Sequence, residues 1–128
     1  MNISQFEGTI AYFVISRLAG GEILENYSKD NDILQPLLEY SLNYIENYES
    51  FKNDLNSFNS TLAQYNPTFK IDKLKSLSFV YSNLKVFFYE IKEDDIFAVV
   101  FFSASYPDGI VKIFLNEYIN YVKQNYSL

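Results

Sequence analysis

The sequence predicts an α+β domain: a five-stranded antiparallel sheet in the order 2-1-5-4-3 with helices packed on it. Three observations lead there. Two apolar runs, Thr9–Ile15 and Ile96–Ser103, have the length and the β-branched and aromatic content of strands covered on both faces. More polar or alternating stretches lie beside each run across short turns. Two longer stretches carry apolar residues at helical spacing instead. The element order is strand, strand, helix (or two helices), strand, strand, strand, helix.

The first strand, Thr9–Ile15, ends at Leu18-Ala19-Gly20-Gly21, a turn in which glycine supplies positive φ without steric cost. Glu22–Tyr27 returns as a more polar strand, which suits an edge. Ser28–Asp32 holds several helix-capping candidates. Leu34, Leu38, Leu42, Ile45 and Tyr48 then mark one helical face, with Pro36 tolerated only in the first turn. The pattern continues through Phe51, Leu55, Phe58 and Leu62. An unbroken helix of about 30 residues would be ~45 Å long, whereas a strand of eight spans only ~27 Å. Asn53, Asn56, Ser57, Asn59 and Ser60 are poor helix-interior residues. A kink or a second short helix is therefore expected after about Ser50, ending before Pro67.

Leu74–Tyr81 alternates, with Leu77, Phe79 and Tyr81 on one face and Ser76, Ser78 and Val80 on the other. Ser82-Asn83 is a two-residue turn into the strand Leu84–Lys92. Glu93-Asp94-Asp95 turns into Ile96–Ser103, the most apolar strand. Pro107-Asp108-Gly109 opens the last helix, whose stripe is Val111, Phe114, Leu115, Tyr118, Ile119 and Val122. The two apolar strands belong side by side at the centre, flanked by the outer strands. Val99→Asp or Val100→Asp should then unfold the chain, whereas Lys85→Asp should hardly be felt.

The 128 residues suit one domain spanning 1–128. Apolar residues make up 48 %, with 12 Phe and 12 Tyr, which is core-forming composition. Sixteen acidic against ten basic residues give a net charge of −6, which argues against a nucleic-acid binder. No Cys and no His are present. That removes thiolate chemistry, the commonest general base and the commonest transition-metal ligand. Neither a secretory signal nor a segment long enough to span a membrane is visible. A cytoplasmic protein is the expectation, and peripheral membrane association is compatible with it.

Chemistry-bearing motifs are few. Gly20-Gly21 lacks the following helix and Lys-Ser/Thr pair of a phosphate loop. Glu93-Asp94-Asp95 lacks the spaced ligands of a calcium loop. No Ser-x-x-Lys occurs, and no acidic pair is singled out by its spacing. No catalytic residue, metal ligand or cofactor site is therefore assigned. Lys70, Lys73, Lys75 and Lys85 read as edge-strand protection ahead of an anion-binding patch. The tyrosines are more informative. Tyr40, Tyr44, Tyr48, Tyr118, Tyr121 and Tyr126 recur on the two helical stretches. They either finish the core with hydroxyls at its edge or form a protein interface, where tyrosine is enriched.

Three stretches carry a resemblance. They are Thr9–Arg17 returning through Gly20-Gly21 into Glu22–Tyr27, Leu84–Ile91 followed by Asp95–Ser103, and Pro107-Asp108-Gly109 leading into Ile110–Tyr126. Together they resemble the roadblock/longin superfamily, with its profilin-like sandwich, over about residues 8 to 126. Met1–Glu7 is too short for the N-terminal helix of a roadblock domain, which favours the longin arrangement. The resemblance implies a non-catalytic interaction module that forms a homo- or heterodimer. It also implies a platform or regulator role for a small Ras-like GTPase, or a place in a vesicle-trafficking complex. The runner-up readings are a PAS-like small-molecule sensor, which needs an enclosed cavity, and a profilin-like cytoskeletal binder.

Overall fold

Alternation along the strands sets the layers. In a computed structural model, which describes residues 2–127, strand β5 (Ile96–Ser103) lies at the centre of a five-stranded sheet. The outermost residue at each end, included in the expected span 1–128, lies outside the described residues. β1 (Thr9–Ser16) pairs with β5 on one side and β2 (Glu22–Ser28) on the other. β4 (Leu84–Lys92) pairs with β5, and β3 (Ser76–Val80) closes the far edge. Every pairing is antiparallel and the order is β2-β1-β5-β4-β3.

The helices cover opposite faces. Phe97, Val99 and Phe101 of β5 pack with Tyr44, Ile45 and Tyr48 of helix α1 (Leu34–Tyr65). Ala98, Val100 and Phe102 pack with Val111, Leu115 and Ile119 of helix α2 (Asp108–Tyr126). That is why the run is apolar at every position up to Phe102: both of its faces meet a helix. Phe13, Phe88, Phe97 and Phe101, all at 0–1 % exposure, fill the space between α1 and the sheet. A PAS-like sensor would hold its ligand there. Burial of each such ring contributes about 1.5–3 kcal/mol.

Local chemistry sets the ends. Gly20 and Gly21 adopt φ of 76° and 82°, as the β1–β2 turn requires. The Asp30 carboxylate accepts the Asp32 N–H at 2.9 Å, capping a short turn that runs into α1. Pro36 sits in the first turn of α1. A single 3-10 turn, Ile3–Gln5, precedes β1.

Two expectations are corrected. The kink or second helix after Ser50 does not occur: α1 is one helix of 32 residues. Its polar half is held because Asn59 engages backbone of the connection that follows the helix. Asn59 donates to the Ile71 carbonyl at 2.9 Å and accepts the Ile71 N–H at 3.0 Å. The Ser60 hydroxyl turns back onto the Asn56 carbonyl of the preceding turn at 3.3 Å. The connection after Pro67 thus runs beside the overhanging helix and supports it. The second correction concerns Lys85. Its ammonium pairs with Asp108 in the first turn of α2, and its side chain is only 16 % exposed. Lys85→Asp would set two carboxylates together, so it is not a neutral change.

Candidate functional site

The six helix tyrosines divide between the two sheet faces and between core and surface. On α1, Tyr44 and Tyr48 are buried and Tyr40 is exposed. The Tyr44 ring stacks on Phe79 of β3 with centroids 4.6 Å apart. The Tyr81 hydroxyl lies 2.7 Å from that of Tyr44 and 3.1 Å from that of Tyr40. On α2, Tyr118 is buried, Tyr121 is exposed and Tyr126 is half-buried. Tyr121 and Tyr126 both donate to Glu25 Oε2 on β2, at 3.0 and 2.7 Å. For Tyr44, Tyr48 and Tyr118, finishing the core is the role their burial supports. The six do not share one surface.

A larger surface feature lies where α1 outruns the sheet. Phe51 and Phe58 are each 51 % exposed, and with Leu55 they face Ile71, Leu74 and Leu77 across an open groove of about 660 Å³. Asp54, Asp72, Lys73 and Lys75 rim it. The groove runs beside β3, whose outer edge has no strand partner among the described residues. At the far end of that edge Val80 and Tyr81 are exposed, Val80 on the face of β3 opposite Leu77 and Phe79. Phe51, Leu55 and Phe58 belong to the helical stripe legible in the sequence. What marked them as surface was helix length: a stripe longer than the sheet has nothing of the sheet to cover.

At the end of the sheet near the β4–β5 turn, charges are matched within the molecule. Lys52 reaches Glu90 at 3.1 Å and Asp94 at 2.6 Å. Desolvation opposes charge on Lys52, but the bonds to Asp94 and Glu90 prevail and raise its pKa. The same bond holds the Asp94 carboxyl below its usual value. Arg17 donates to the Asp94 carbonyl and stands 3.7 Å from Glu49. Asp95 accepts the Ser16 hydroxyl at 2.7 Å, and Glu93 lies 3.8 Å from Lys73. The acidic turn is thus tied to β1, to α1 and to the connection ahead of β3. Among the described residues no group of three His, Cys, Asp or Glu is placed to hold a metal. None of the described helices is long and apolar enough to cross a membrane. Lys73 and Lys85, two of the four lysines read as edge protection, are engaged with Glu93 and Asp108.

The backbone as a whole has solved counterparts. MglC from Myxococcus xanthus matches with a TM-score of 0.56 and 18 % identity, covering 96 % of this chain and 91 % of that one. MglB in a tetrameric arrangement matches with a TM-score of 0.57 and 13 % identity, over 91 % and 76 %. A Roadblock/LC7 domain from Streptomyces avermitilis matches with a TM-score of 0.53 and 8 % identity, over 96 % and 89 %. The chain has a roadblock fold. No protein-family profile matches it, and no curated protein sequence does. At these identities the fold is what the chain shares with its neighbours. The roadblock fold here begins with the Ile3–Gln5 turn and carries its 32-residue helix between β2 and β3.

Proposed function

We propose that the chain is a non-catalytic interaction module that pairs with a second copy of itself through the overhanging half of α1 and the free edge of β3. The observation that carries this is the apolar strip that Phe51 and Phe58 form with Ile71 and Leu77 along the groove, beside a strand edge with no strand partner among the described residues. A monomer that kept this strip in water would expose both apolar area and unpaired backbone groups. Edge-to-edge pairing of two β3 strands about a twofold axis would satisfy both at once, bringing the α1 overhangs together. Charge placement suits self-pairing: Asp54 and Asp72 share the groove rim with Lys73 and Lys75, so a twofold contact can oppose unlike charges.

The partner class comes from the resemblance alone: a small Ras-like GTPase in the cytoplasm, or a subunit of a trafficking complex, docking on the assembled pair. Light scattering on the purified chain, with cross-linked capture from the source cells, tests the reading. The expected result is a dimer that retains a GTPase or a defined complex. A monomer at high micromolar concentration that retains neither would refute it.

A further inference from the structure

A second feature lies on the opposite face of the sheet, away from the α1 groove. Val14 pairs with Glu25 and Tyr12 with Tyr27 across β1 and β2. Residues opposed on antiparallel strands share a face, and Tyr12 and Val14 belong to the layer under α2. Glu25 is therefore held on the α2 side of the edge strand. Tyr12, Glu25, Tyr118 and Tyr121, with Glu117 and Ile3, line a cavity of about 320 Å³. No lysine or arginine lines it.

Three properties decide what it suits. The Tyr12 and Tyr118 rings lie 4.7 Å apart, and Tyr118 and Tyr121 lie 6.0 Å apart, giving a contiguous aromatic wall. Aromatic faces attract cations. Glu25 receives two phenol protons on Oε2, while Oε1 has no hydrogen bond among the described residues. Among the described residues Glu25 is engaged by tyrosines alone and takes part in no ion pair. Tyr118 is only 6 % exposed, and its hydroxyl is buried without a hydrogen-bond partner among the described residues. A buried hydroxyl left unpaired is costly, and a ligand that bonds it recovers that cost. The volume of about 320 Å³ lies at the small end of ligand sites and is ample for one alkylammonium group, while the acidic lining offers a phosphate no cation.

We propose that this cavity binds an alkylammonium cation, its charge on Glu25 and the tyrosine wall and its N–H groups within reach of the Tyr118 hydroxyl. The group can be a free amine or the side chain of a lysine on another protein. The site does not depend on the α1–β3 pairing, so either proposal can fail without the other.

The test is titration of the intact chain, followed by backbone amide NMR, with three probes: methylammonium, tetramethylammonium and N-acetyl-lysine methylamide. Saturable shifts confined to Tyr12, Glu25, Tyr118 and Tyr121 are expected for all three, with none for acetate. Tighter binding of the lysine probe than of methylammonium supports a protein source, and equal binding supports a free amine. Glu25→Gln keeps acceptors for Tyr121 and Tyr126 but removes the charge, and should weaken every probe at least fivefold. Tyr118→Phe should weaken methylammonium and leave tetramethylammonium, which has no N–H, unchanged. Absence of saturable shifts, or undiminished binding in a folded Glu25→Gln protein, overturns the proposal.

Discussion

The Tyr48 hydroxyl lies 2.5 Å from the Leu74 carbonyl and 3.0 Å from Glu90 Oε1, yet it has one proton to donate. Its ring is fully buried, between Phe88 and Phe97. Tyr48 thus links α1, β4 and the connection ahead of β3 at one atom. Tyr48→Phe keeps the ring and should cost about 1–2 kcal/mol in urea unfolding, because the one buried hydroxyl proton shared between these acceptors is lost. Val99 and Val100 are wholly buried on opposite sheet faces. An aspartate at either should cost more than about 4 kcal/mol and abolish the cooperative thermal transition. Lys70, exposed and in no ion pair among the described residues, is the proper control in place of Lys85. Lys70→Asp should change stability by less than about 0.5 kcal/mol. Titration gives an alkaline signature. Burial raises the Tyr44, Tyr48 and Tyr118 phenols above their usual value of 10.0. The folded state then holds these protons more tightly than the unfolded state. Their contribution is intact below pH 10 and falls as pH rises beyond it toward the higher folded values. In ultraviolet absorbance, tyrosinate from these residues should appear together with unfolding. The Asp94 carboxyl, lowered by Lys52, acts at the other end of the scale. Its contribution is complete above its unfolded value near 3.8 and is lost as pH falls through the lower folded value.

At the scale of elements, α1 separates what was legible from what was not. Its start, its apolar stripe and its end before Pro67 could be read from spacing and turn chemistry. Its continuity could not. Asn and Ser in a helix interior argue for a break unless something distant engages them, and here the partner of Asn59 is the backbone of Ile71, twelve residues on. No local pattern announces such a bond. The strands were easier, because a face covered by a helix and a face left to water differ in every second residue. Hence β3 shows Leu77 and Phe79 half-buried against α1 while Ser76, Ser78 and Val80 are exposed. The tyrosines were legible as a group and not individually, since residues at one helical spacing end in core or solvent according to how far the sheet extends beneath them. Asn59→Ala should cost about 1 kcal/mol and, more tellingly, accelerate hydrogen exchange at the Ile71 amide far more than at the β5 amides. Equal acceleration in both would mean that the overhang is not held by this bond.

For the whole molecule, the central feature is a sheet with two unlike sides. The α1 side ends in an overhang with an apolar groove beside an open strand edge. The α2 side ends in a tyrosine-lined cavity with Glu25 at β2. The first suits assembly and the second a cation, and the roadblock fold keeps them apart. Sedimentation velocity on the wild-type chain and on a Phe51→Asp/Phe58→Asp variant, at equal micromolar concentration, tests the assembly claim most directly. Both phenylalanines are half exposed, so the variant should keep its fold by circular dichroism. The prediction is 30.0 kDa for the wild type, twice the 15.0 kDa chain mass, and 15.0 kDa for the variant. A 15.0 kDa wild type, or a variant that stays paired, would contradict it.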